Sequence, residues 1–69
     1  MPEVLVYAME GRSEQAKHDL LRDITDAIVK NFAVDPDLVT VSILEAPPTN
    51  KSKGGIPYSV RAPGEIGKG

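Results

Sequence analysis

One strand–helix–strand unit holds nearly all the core-forming residues of this 69-residue chain, and its first strand is apolar on both faces. Residues 3–9, Glu-Val-Leu-Val-Tyr-Ala-Met, alternate so that Val4, Val6 and Ala8 share one face and Leu5, Tyr7 and Met9 the other. Residues 38–45 form a second strand, with Val39, Val41 and Ile43 on one face and the more polar set Thr40, Ser42 and Leu44 on the other. The length between them suits a helix and a right-handed crossover joining two parallel strands. A single helix covers one face of a two-stranded sheet. The opposite face, with its apolar residues, needs another chain to cover it. The sequence therefore predicts an α+β subunit whose sheet is completed by oligomerisation.

The helix is expected over 14–32. Ser13 is a good N-cap and Glu14 suits the first turn, although Ala16 stands where a capping box needs Glu or Gln. Ala16, Leu20, Ile24, Ala27, Ile28 and Phe32 fall on one stripe, with Leu21 at its edge. Lys17, Asp19, Arg22, Asp23, Asp26 and Lys30 occupy the remainder as a solvated face, and His18 lies among them. Asp35-Pro36 ends the helical pattern. From Ala46 the composition shifts to Pro47-Pro48, Gly54-Gly55, Pro57 and Pro63-Gly64, with a last apolar cluster at 56–60. The expected organisation is one domain over 1–69. A β-α-β core and turn occupy 2–55, and a short hairpin or extended arm with a loose tail occupies 56–69. An arm without a core of its own reaches for a neighbouring subunit.

A core this small is marginal, since a chain of about 60 residues buries only ~60% of its unfolded surface. Cysteine is absent and His18 is the lone histidine, so neither disulfides nor a metal site stabilise it. Oligomerisation is the remaining device. A net charge of −2 with scattered cations argues against nucleic acid and anionic membranes as partners. The first apolar run is too short for a signal peptide or a membrane span, so a cytoplasmic setting is expected. Asn50-Lys51-Ser52 matches a glycosylation acceptor and is read as chance in that setting.

Pro2 carries the chemical signal. Aminopeptidases remove Met1 before a small residue, which would leave proline with a free secondary amine on a rigid ring. Within a chain, proline nitrogen has no proton and no basicity. As a free terminus it is a base, and burial disfavours its cation and brings it toward neutrality. A base of that kind suits proton transfer.

Pro2, a short strand, Glu10-Gly11-Arg12-Ser13, a helix, a strand ending in Glu45 and then Gly54-Gly55 together resemble the tautomerase superfamily. The nearest resemblance is to the short-chain 4-oxalocrotonate tautomerase group, and it covers residues 2–55. It implies a β-α-β subunit with a C-terminal hairpin, two subunits forming a four-stranded sheet, and three such dimers forming a homohexamer. It also implies a cofactor-free isomerase that interconverts enol and keto forms of a small unsaturated carboxylic acid. Pro2 would be general base and its conjugate acid would return the proton. Arg12 would hold a substrate carboxylate, which a guanidinium grips in a bidentate fork. Glu10, Gly11, Glu45 and the glycine pair match positions read as structural.

Three departures bear on the site. The resemblance places an arginine on the second strand where this chain has Thr40, and a neutral hydrogen bond is weaker than a charged one. Lys51 falls near an aromatic wall position, and Lys53 replaces an aliphatic residue. Lys51, Lys53 or Arg61 are thus candidates to hold an anion in place of the missing arginine. Dehalogenation or hydration, decarboxylation, or non-catalytic binding of small acids on the same scaffold are the alternative functions.

Overall fold

The structure is a computed structural model and describes residues 1–61. The tail expected beyond them lies outside the described residues. Strand β1 (Glu3–Met9) pairs in parallel with β2 (Thr40–Ala46), and helix α1 (Glu14–Phe32) crosses between them. Glu3 faces Thr40, Leu5 faces Ser42, Tyr7 faces Leu44 and Met9 faces Ala46. The parallel pair and its crossover are as expected.

Local chemistry explains the ends of α1. Ser13 Oγ accepts the Ala16 N–H at 3.1 Å, so the N-cap works without a capping box. At the other end Ala33 takes the left-handed conformation, φ 55° and ψ 48°, and donates its N–H to the Val29 carbonyl at 3.0 Å. Glycine is the usual residue there, because an L side chain pays about 1 kcal/mol or more in that region. Ala33→Gly is therefore expected to stabilise the fold by roughly 0.5–1 kcal/mol, net of the glycine's greater unfolded-state freedom. A higher urea midpoint would show this; an unchanged or lower one would mean that the helix end is not strained.

The second strand begins two residues later than 38 and runs one residue past 45. Pro36–Leu38 form a 3-10 turn, capped by the Asp35 carboxylate, which accepts the Asp37 N–H at 2.9 Å. Leu38 and Val39 donate their N–H groups back to Asp35 and Pro36, so neither is free for the sheet.

The sheltered line of α1 differs from the expected stripe. Leu21, Ile24, Thr25, Ile28 and Val29 are half-buried, whereas Ala16, Leu20, Ala27 and Phe32 are exposed in the single chain. Thr25 can sit inward because its hydroxyl donates to the Leu21 carbonyl at 2.8 Å. The apolar surface of the helix is thus wider than one sheet face can cover.

The C-terminal segment folds as a hairpin. Strands β3 (Ser52–Lys53) and β4 (Ile56–Pro57) pair antiparallel, so the hairpin spans the expected division at 55/56. Gly54 and Gly55 have φ 63° and 80°, the doubly left-handed turn that matches the twist of a two-residue hairpin.

No described side chain is fully buried. On the sheet face away from α1, Leu5, Tyr7 and Leu44 are 51%, 71% and 42% exposed. This is the face that the sequence left without cover. Among the described residues no helix is long and apolar enough to cross a membrane.

Candidate active site

Pro2 leads directly into β1, and its carbonyl accepts the Thr40 N–H at 3.1 Å. That bond ties the start of the chain to the start of β2 and brings Pro2 and Thr40 together. Pro2 is half-buried and Met1 is 89% exposed.

Arg12 stands at the opposite end of β1. Its Nη1 donates to the Met9 carbonyl at 2.9 Å, which holds the guanidinium against the end of the strand. It lines the mouth of a cleft of about 250 Å³ between α1 and the sheet, walled by Val6, Ala8, Ala16, Leu20 and Ile43. Lys17 closes the same cleft by pairing with Glu45 across 2.9 Å. That ion pair joins residues 28 apart in sequence and gives Glu45 a structural task.

A seven-residue strand spans about 20 Å. Pro2 and Arg12 of one chain are therefore too far apart to touch one small acid. The hairpin leaves the sheet at the same end as Arg12, since it follows Ala46, whose carbonyl accepts the Glu10 N–H at 3.1 Å.

The hairpin carries Lys51, Lys53 and Arg61. Arg61 Nη2 donates to the Lys53 carbonyl at 2.8 Å and lies against Gly54, so this guanidinium clamps the turn. Lys51 accepts the Tyr58 N–H on its carbonyl at 2.8 Å, which extends the hairpin pairing by one step. Its ammonium sits 5.9 Å from the centre of the Tyr58 ring, within cation–π range. The expectations did not include Tyr58 as a partner of Lys51. Counting outward from Gly54-Gly55 pairs Lys53 with Ile56 and Lys51 with Tyr58, so the signal was present. Among the described residues there is no cluster suited to a metal ion.

Comparison with known proteins gives this arrangement a family. Residues 2–58 match the family described as Tautomerase enzyme. The chain belongs to the tautomerase family. Over 62 residues it is 48% identical to a probable tautomerase of Bradyrhizobium diazoefficiens, covering 90% of this chain and 92% of that one. It is 34% identical over 59 residues to 2-hydroxymuconate tautomerase of Pseudomonas putida, covering 86% and 94%. Among solved structures, a heterohexameric 4-oxalocrotonate tautomerase from Chloroflexus aurantiacus superposes with a TM-score of 0.79 at 33% identity, covering 87% and 97%. The fold of this tautomerase-family chain is thus the 4-oxalocrotonate tautomerase fold, and the sequence resemblance is upheld.

Proposed function

We propose that this protein is a cofactor-free tautomerase that moves a proton between carbon and oxygen of a small enol or dienol carboxylic acid. Removal of Met1 would turn the Pro2 nitrogen from an amide into a secondary amine. The amine takes a proton from the enol, and its conjugate acid returns it to carbon. Family membership gives the reaction class. The observation that carries Pro2 as the base is its anchoring: the Thr40 bond sets the ring at the head of β1, where a flexible terminus would wander.

Arg12 holds a substrate carboxylate, Thr40 offers one neutral hydrogen bond beside Pro2, and Lys51 and Lys53 supply positive charge. The separation of about 20 Å along β1 means that Pro2 and Arg12 of one site come from different copies of the chain. A homo-oligomer, a hexamer by likeness to the heterohexameric 4-oxalocrotonate tautomerase of Chloroflexus aurantiacus, also covers the open sheet face.

Two measurements test this reading. Intact mass should show Met1 absent; a retained Met1 leaves Pro2 an amide and ends the proposal. Pro2→Ala and Arg12→Ala subunits, each impaired alone, should regain activity when unfolded and reassembled together. Mixing creates sites with Pro2 from one copy and Arg12 from another. No recovery would place both residues in sites built from one chain, against the geometry.

A further inference from the structure

The cleft between α1 and the sheet has three charged residues in its lining, Arg12, Lys17 and Glu45. The other lining residues bring no charge. Lys17 Nζ donates to Glu45 Oε1 at 2.9 Å, and the two side chains are only 32% and 22% exposed. Arg12 has no carboxylate within salt-bridge distance among the described residues. Its Nη1 is engaged with the Met9 carbonyl, which leaves most of the guanidinium's N–H donors for a ligand. Arg12 and Lys17 bring two positive charges to the cleft and Glu45 removes one, so a single positive unit remains.

The ion pair has two effects. As a tether it fastens the first turns of α1 to the end of β2. Backbone bonds already hold the same segment, since the Glu10 N–H donates to the Ala46 carbonyl at 3.1 Å and the Lys17 N–H to the Ser13 carbonyl at 3.2 Å. A partly exposed pair also contributes little to stability. The effect on charge has no such substitute. Without Lys17, an unpaired carboxylate would stand in the same cleft as Arg12, attracting the guanidinium and repelling an arriving acid. Without Glu45, a second unpaired cation would stand there.

We propose that Lys17 and Glu45 are specificity-determining residues that set the charge of the Arg12 cleft to one positive unit, matched to the carboxylate of a ligand with an apolar chain. Lys17 masks Glu45 and so leaves Arg12 free to take the acid. The inference rests on the reading above in placing a substrate carboxylate at Arg12.

The test is calorimetry on the full chain with hexanoate and its neutral amide, hexanamide. Lys17→Met should weaken hexanoate binding ~5-fold and Glu45→Gln should strengthen it ~5-fold, the size expected for one unit charge at short range near a protein surface. Lys17→Met combined with Glu45→Gln restores the single charge without the ion pair. Its hexanoate affinity should return to within about 2-fold of that of the parent protein. Hexanamide should bind every variant equally, and added salt should narrow the hexanoate differences. A tether gives another pattern: both single variants weaken, the double variant is at least as weak, and hexanamide follows hexanoate. That pattern, or no hexanoate binding by the parent protein, would overturn the proposal.

Turnover of phenylenolpyruvate separates this inference from the reading beneath it. KM should rise in Lys17→Met and fall in Glu45→Gln, with kcat close to that of the parent protein. If the parent protein turns over no enol acid, the tautomerase reading fails while the ordered hexanoate affinities still support the charge role. An active parent protein whose two single variants bind hexanoate equally ends the charge role alone. Size-exclusion profiles check assembly. Should one single variant fail to assemble, the other single variant and the double variant decide the matter.

Discussion

Replacing Pro2 by alanine is expected to lower the ketonisation rate of phenylenolpyruvate or 2-hydroxymuconate by ~10² or more, the usual worth of a positioned general base. The size of the loss has a physical origin. Alanine after Met1 removal still offers an amine, so basicity as such is not abolished. What disappears is the ring that makes the nitrogen a secondary amine and holds its lone pair in a fixed direction relative to Cα. The Thr40 N–H would still hold the residue-2 carbonyl, because that bond is made by backbone alone. The variant should therefore keep its fold and assembly, and the loss should appear in kcat. A form that retains Met1 should have no rate above buffer. In the parent protein kcat/KM should climb with pH as the amine loses its proton, then level off, since only the neutral amine is a base. A Pro2→Ala rate equal to that of the parent protein would remove Pro2 from the mechanism.

Leu5→Asp is expected to have the largest effect on stability. Leu5, Tyr7 and Leu44 form the open sheet face, while α1 covers the other one. No described side chain of the protomer is fully buried, so its stability depends on what covers this face. Leu5 is 51% exposed in the single chain, so burying the rest of it in an assembly contributes about 1 kcal/mol per copy. A carboxylate in its place adds a penalty of several kcal/mol if it stays buried. The oligomer should dissociate, and the freed chain should lose most of its helical circular dichroism at 25 °C. Leu5→Met, of similar volume, should change little. Light scattering that gives the same mass for Leu5→Asp and the parent protein would show that this face meets solvent.

Much of the fold was legible because it depends on neighbours within a few residues. Alternation marked β1, Ser13 marked the start of α1, and Gly54-Gly55 marked a turn. The start of β2 was misplaced because Asp35 and Pro36 draw the N–H groups of Leu38 and Val39 into a local turn, a competition that apolar alternation does not reveal. The face of α1 was blurred because its apolar residues span more than one contact surface. Periodicity gives the width of such a stripe and not the part that meets the sheet within one chain.

The candidate site divides along the same line. Sequence by itself determined that Pro2 heads a strand, that Arg12 follows its end, and that Lys51, Lys53 and Arg61 follow the second strand. It also determined that one sheet face lacks cover, because one helix cannot shield two sides. Only the tertiary structure decided that Pro2 meets Thr40. It likewise decided that Arg61 closes the hairpin turn while Lys51 rests on Tyr58. The physical reason is range. Caps, turns and alternation are settled by interactions over a few residues, whereas strand register and side-chain partners are settled by packing between segments distant in the chain.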